Sequence, residues 1–154
     1  MSPRLIFVCQ GNICRSTMAE QVARHWADEA GLEVGIDSAG VSDEERGNPI
    51  DPRARRCLLT HGCDPGTHRA HQITAAEIAA ADLVMAAEHW QLQRMRKLVP
   101  ESVHLHLITD FDPHARPQLG VRDPWYGGME GFEDTLEAIE SAMPGILDAV
   151  RALG

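Results

Sequence analysis

Between residues 9 and 16 the chain reads Cys-Gln-Gly-Asn-Ile-Cys-Arg-Ser, a thiol and a guanidinium separated by five residues that include glycine and asparagine. A turn of that composition, set between a strand and a helix, suits the binding of a tetrahedral oxyanion. Successive backbone N–H groups at a helix start converge on an anion. Gly11 can take a positive φ and let the backbone approach closely. Asn12 tolerates the left-handed region when its side chain is held by hydrogen bonds. Arg15 adds a planar, two-pronged donor to the same oxygens, while Gln10, Ile13 and Cys14 contribute backbone to the cradle. A thiol beside a helix N-terminus and an arginine is favoured as the thiolate, the nucleophilic form. Cys9 is therefore the candidate nucleophile, and Ser16 can hydrogen-bond its sulfur. A cysteine that ends a strand can also be an inert small hydrophobe. The glycine and asparagine inside the turn argue for chemistry instead.

Phosphoryl transfer from an ester needs a proton donor for the leaving oxygen, and a carboxylic acid can then serve the attacking water as base. Asp123, followed by Pro124 in a long loop, is the candidate, although Asp-Pro is also an ordinary turn starter. Trp125 and Tyr126 follow it. With seven aromatic residues in the whole chain, two adjacent in a loop suit the wall of a binding cleft.

The elements that must position these residues follow from periodicity. Leu5 to Cys9 is a continuous apolar run, the pattern of a strand buried on both faces. Met18, Ala19, Val22, Ala23, Trp26 and Ala30 trace one apolar face of a helix that opens near Arg15 and closes at Gly31. A second strand is expected over Glu33–Ser38, an acidic loop over Val41–Pro52, and a helix from Asp51-Pro52 to Thr60. Thr74 and Glu77 form a capping box for a short helix. A third strand is expected at Asp82–Ala86, a helix at Glu88–Val99 and a fourth strand at Val103–Ile108. A loop over Thr109–Gly131 leads to a last helix from Phe132, in which Pro144 should produce a kink or break. Alternation of strand and helix predicts an α/β fold, a doubly wound four-stranded parallel sheet flanked by helices, with the phosphate-binding loop after strand 1. Ligands in such sheets sit beyond the carboxyl ends of the strands.

Residues 1–154 fit one domain, long enough to bury roughly 70% of its unfolded surface without staples. A formal net charge of −9 argues against nucleic-acid partners. No apolar stretch predicts membrane insertion and no signal segment precedes the first strand, so a cytoplasmic location is expected. Four cysteines without a Cys-x2-Cys pair, and eight histidines without His-x3-His or His-Glu-x2-His spacing, predict no metal site, and the chemistry calls for no cofactor. Thirteen of the fourteen basic residues are arginine; Arg53, Arg55 and Arg56 read as a solvated helix face.

The segment Val8–Thr17, V-C-Q-G-N-I-C-R-S-T, resembles the V-C-x-G-N-x-C-R-S-P signature of the low-molecular-weight protein-tyrosine phosphatases. The resemblance extends through Asp37-Ser-Ala-Gly40, Gly47-Asn-Pro, Asp51-Pro-Arg-Ala, His68-Arg-Ala-His-Gln72 and Asp123-Pro-Trp-Tyr-Gly127. It implies hydrolysis of phosphotyrosine through a cysteinyl-phosphate on Cys9, with Arg15 on the phosphoryl group and Asp123 as general acid and base. It implies that Trp125 and Tyr126 line the cleft, and that Ser38 and His68 hold Asn12 in its strained conformation. Phosphotyrosine proteins would be the substrates and a cognate tyrosine kinase the counterpart. Thr17 stands where the family has proline, and Glu44 where many members carry an aromatic in the cleft wall. Three rivals remain at this point: a thiol-dependent arsenate reductase using Cys57 and Cys63 as relay, a phosphoryl carrier or redox sensor on Cys9 and Cys14, and a phosphoarginine phosphatase. The last resembles sequences with threonine where this chain has Ile13.

Overall fold

Arg4–Cys9 forms the first strand, β1, and all of its residues after Arg4 are buried, as a continuous apolar run requires when both faces of a sheet are covered. The computed structural model describes residues 2–115, 120–125 and 127–153. After β1 come α1 (Arg15–Glu29), β2 (Gly35–Gly40), α2 (Pro52–Thr60) and α3 (Ala75–Ala80). Then follow β3 (Leu83–Ala86), α4 (His89–Leu98), β4 (Leu105–Leu107), a 3₁₀ turn (Ile108–Phe111) and α5 (Met129–Leu153). The four strands are all parallel, in the order β2-β1-β3-β4.

Alternation along β1 divides the core in two. Leu5, Phe7 and Cys9 face a cluster with Met18 and Val22 of α1 and Phe132, Ile139 and Met143 of α5. Ile6 and Val8 face the opposite cluster, with Ile78 of α3 and Leu92 and Met95 of α4. Full burial of each such side chain stabilises the fold by about 1.5–3 kcal/mol. The chain leaves β1 in one direction to reach β2 and returns past it to β3, so the turn after Cys9 lies at the point where the strand order reverses.

Four expectations are corrected. β2 begins at Gly35 rather than Glu33, and α5 begins at Met129 rather than Phe132. The expected loop after β4 opens with the 3₁₀ turn. Pro144 does not end α5, which runs on to Leu153. Its ring is on the exposed side, and buried Phe132, Leu136, Ile139, Met143, Ile146, Leu147 and Val150 anchor the helix both before and after it. The amide donor that proline lacks is thus missing from the solvent side, where water can satisfy the freed carbonyl. Among the described residues no helix is long and apolar enough to cross a membrane.

Candidate active site

The turn from β1 to α1 holds the one non-glycine residue with positive φ among the described residues, Asn12 at 62°. By residue type either Gly11 or Asn12 could take the positive φ; it falls on Asn12, the residue the resemblance implies is strained. Gly11 serves by its lack of a side chain, since a Cβ there would lie 3.1 Å from Glu45 Cγ. An asparagine in that region costs of order 1–3 kcal/mol, and four hydrogen bonds oppose the cost. Asn12 Nδ2 donates to Ser16 Oγ at 2.8 Å and to Ser38 Oγ at 3.0 Å. Its Oδ1 accepts from the His71 N–H at 3.1 Å. Its carbonyl accepts from His68 Nε2 at 2.6 Å. Ser38 in turn donates to buried Glu20 at 2.5 Å, and Glu20 pairs with Arg24. The expected supports, Ser38 and His68, are brought to Asn12; Glu20 and His71 complete the set and were not singled out from sequence.

With the side chain so committed, the cradle's amides are left for a ligand. Among the described residues the N–H groups of Gly11, Asn12, Ile13 and Cys14 have no protein acceptor. Helix α1 has no side-chain cap and no acidic residue in its first turn. An uncapped helix start is an anion site by its geometry and its dipole. Cys9 Sγ lies 3.1 Å from Ser16 Oγ. Because Ser16 Oγ already accepts from Asn12, its own proton is available to the sulfur. Cys14 differs: burial, then Asp51, the Cys9 thiol and Asp123, push its thiol well above the ordinary range, so it is held protonated. The end of β2 closes the cradle from outside. Val41 and Ser42 donate their N–H groups to the carbonyls of Cys9 and Gln10, and a Cβ on Gly40 would come within 2.7 Å of the Gln10 carbonyl.

Arg15 is buried, and its guanidinium is fixed from three sides. It lies 2.9 Å from Glu88 Oε2, donates to the Val121 carbonyl at 3.0 Å, and lies 3.7 Å from Asp123 Oδ2. Glu88 was not singled out from sequence. The available signal was its place at the carboxyl end of β3, where this type of sheet binds ligands.

Cys9, Gln10, Gly11, Ile13, Cys14 and Arg15 line a cleft of about 250 Å³, completed by Glu44, Glu45, Asp123 and Trp125. Asp123 Oδ1 accepts from the Trp125 N–H at 3.0 Å. Trp125 is largely exposed; Tyr126 lies outside the described residues. Glu44 is exposed and accepts from Gln10 Nε2 at 2.9 Å. Arg53 departs from the solvated face expected for it. Its guanidinium lies over the Trp125 ring at 5.1 Å and the Phe132 ring at 4.8 Å, and donates to the Trp125 carbonyl at 3.2 Å. Asp51, the N-cap of α2, orients it through two side-chain bonds. Burial alone would push the Asp51 carboxyl up, but the Arg53 side chain and main-chain N–H groups outweigh it and hold the carboxyl below its usual range. The Asp-Pro-Arg order carried the signal: a capping aspartate lies within reach of an arginine two residues on. Arg55 and Arg56 are exposed as expected.

The cleft therefore brings together a thiol, a ring of free amides and a fixed guanidinium from one strand–turn–helix and a carboxylate from a distant loop. The family model described as low molecular weight phosphotyrosine protein phosphatase matches residues 4–153. A low molecular weight protein-tyrosine-phosphatase of Streptomyces coelicolor is 41% identical, the match covering 98% of this chain and 95% of that protein. Low molecular weight protein-tyrosine phosphatase A of Mycobacterium tuberculosis is 40% identical, over 94% of this chain and 89% of its own. Among solved structures, a protein tyrosine phosphatase from Entamoeba histolytica superposes with a TM-score of 0.92 at 26% identity, covering 98% of each chain. The chain belongs to the low molecular weight phosphotyrosine protein phosphatase family.

Proposed function

We propose that this member of the family hydrolyses phosphotyrosine in proteins, and small aryl phosphates, through a cysteinyl-phosphate on Cys9. The observation that carries the reading is the position of Cys9 Sγ, on the floor of a cleft that also presents free amides, Arg15 and Asp123. The phosphoryl oxygens occupy the cradle, held by the N–H groups of residues 11–14 and the Arg15 guanidinium, which are fixed before substrate arrives. Donors fixed in advance stabilise a charge-rich transition state without reorganisation. The Cys9 thiolate attacks phosphorus, and the bond to the tyrosyl oxygen breaks. Asp123 gives that oxygen its proton, so that phenol rather than phenolate departs. In the second step Asp123 takes a proton from water as the water attacks phosphorus. Cys9 then leaves as thiolate, stabilised by the Ser16 hydroxyl, and phosphate is released.

The rival readings have less support. Cys57 and Cys63 are buried in the core and do not line the cleft, a poor place for an outward disulfide relay. A phosphoryl carrier would not need a carboxylate at the mouth. Ile13 and Trp125 border the cleft with apolar surface, which suits a phenyl ring better than the guanidinium of phosphoarginine. The natural substrates are then phosphotyrosine proteins made by a tyrosine kinase, and the four free cysteines suit a reducing cytoplasm. The deciding experiment is Cys9→Ser. Turnover of p-nitrophenyl phosphate should disappear while inorganic phosphate and vanadate still bind, because the cradle itself is backbone and Arg15. Near-normal turnover by that protein would end the cysteinyl-phosphate mechanism.

A further inference from the structure

At the C-terminal end of α2, among residues that do not line the cleft, three side chains of different chemistry converge. Cys57 is on α2 and His61 caps the helix four residues later, so both project from one face. Glu133 reaches across from the second turn of α5. The Cys57 Sγ, an imidazole nitrogen of His61 and a Glu133 carboxylate oxygen all lie within 4.8 Å of one another. His61 Nε2 donates to Glu133 Oε2 at 2.5 Å. Cys57 is fully buried, whereas the His61 and Glu133 side chains are each 43% exposed. The cluster thus has a sulfur at its base and an open outer side.

We infer that Cys57, His61 and Glu133 form a binding site for a divalent cation of the zinc class, which clasps α2 to α5. A tetrahedral ion with bonds of about 2.0–2.3 Å places its ligand atoms roughly 3.3–3.8 Å apart. The two half-exposed side chains can close the remaining distance by small rotations. Sulfur, imidazole and carboxylate together select zinc-class ions over magnesium or calcium, which take oxygen ligands. Charge also balances. One thiolate, one carboxylate and a neutral imidazole exactly offset a dication when the thiol proton leaves to solvent. Three protein ligands leave a fourth position on the solvent side for water. The spacing rules applied to the sequence covered Cys-x2-Cys and His-x3-His and passed over the Cys-x3-His of α2.

Cobalt(II), a coloured substitute for zinc, tests this on the full chain carrying Cys9→Ser, so that the cleft thiol does not compete. One equivalent should give a thiolate-to-cobalt absorption band that zinc abolishes by displacement. Zinc at a hundredfold excess over its Kd should raise Tm by about 5–10 °C. Cys57→Ser should remove both effects. His61→Gln and Glu133→Gln, changes at the surface that leave the core intact, should each weaken cobalt at least tenfold. Among the described residues a second cluster, Asp37, His71 and Glu77, has no sulfur and can bind cobalt without the thiolate band. No band at millimolar cobalt would overturn the proposal. So would a band that survives Cys57→Ser, or one indifferent to Glu133→Gln.

Discussion

The underside of the cradle and its mouth are built on opposite principles. Beneath the turn, Asn12, Ser16, Ser38 and Glu20 are almost wholly buried, and both N–H groups and the oxygen of the Asn12 side chain bond to protein. At the mouth, Glu44 and Trp125 are exposed, and Trp125 is held from outside by Arg53, which lies on its ring and that of Phe132 and donates to its carbonyl. A saturated buried network has one arrangement and specifies it strongly. A segment held by exposed contacts, each contributing roughly 0.5–1 kcal/mol, can shift with its ligand. The phosphoryl group, the same in every substrate, meets the rigid half. The leaving group and its surroundings, which differ between substrates, meet the adaptable half.

Substitutions at the two ends should separate these roles. Asp123→Asn should have the largest effect after loss of the nucleophile, slowing kcat by roughly 10²–10⁴-fold. The loss should be greatest for tyrosine phosphate and smaller for p-nitrophenyl phosphate, whose leaving group needs little help; equal losses would make Asp123 structural. Asn12→Ala should cut turnover by roughly 10²-fold through displacement of the cradle, with similar losses for every leaving group, and lower the urea midpoint of unfolding. Asn12→Gly removes the backbone strain but not the missing hydrogen bonds. If its turnover matches wild type, the network matters only for φ, and the contrast with the mouth fails.

Arg53→Ala should be milder, about a tenfold loss in kcat for tyrosine phosphate and less for p-nitrophenyl phosphate, since it acts through the loop that carries Asp123. Lysine should not rescue it, because a point charge cannot stack on two rings and hold Asp51 in a fork as well. A loss independent of leaving group would detach Arg53 from Asp123. Glu44→Trp should change least, lowering KM for aryl phosphates by on the order of fivefold with kcat nearly constant, the mark of uniform binding. The wild-type chain should favour peptides with basic residues beside the phosphotyrosine, more so at low salt. An unchanged KM with no such preference would leave Glu44 a bystander.

The rigid half was legible in the sequence because it is local. Cys9, Asn12, Arg15 and Ser16 occupy one strand–turn–helix, and the apolar run before them and the periodic face after them mark its borders. The mouth was less so. Arg53 read as one of three solvated arginines because its partner Trp125 is 72 residues away. Glu88 reaches Arg15 from a third segment. Residue type alone allowed the positive φ at Gly11 or Asn12, and only the hydrogen bonds from distant Ser38, His68 and His71 fix it at Asn12. Helix-breaking chemistry pointed to Pro144, yet a ring on the solvent side of a helix anchored before and after it does not end the helix.

The hydrogen bonds that complete the cradle span very different lengths of chain. Those to Asn12 come from 26 residues away at Ser38, 56 at His68 and 59 at His71, while Arg15 reaches Val121 across 106. The segment that carries the chemistry is thus contiguous, but its working shape depends on loops of the chain that close slowly. Contacts of large sequence separation form late in folding, because the entropy of closing the loop precedes the reward. During refolding the α1 helix signal should therefore recover before turnover does. Activity in this chain is a clock for the last long-range closure rather than for the strand–turn–helix in which the nucleophile resides.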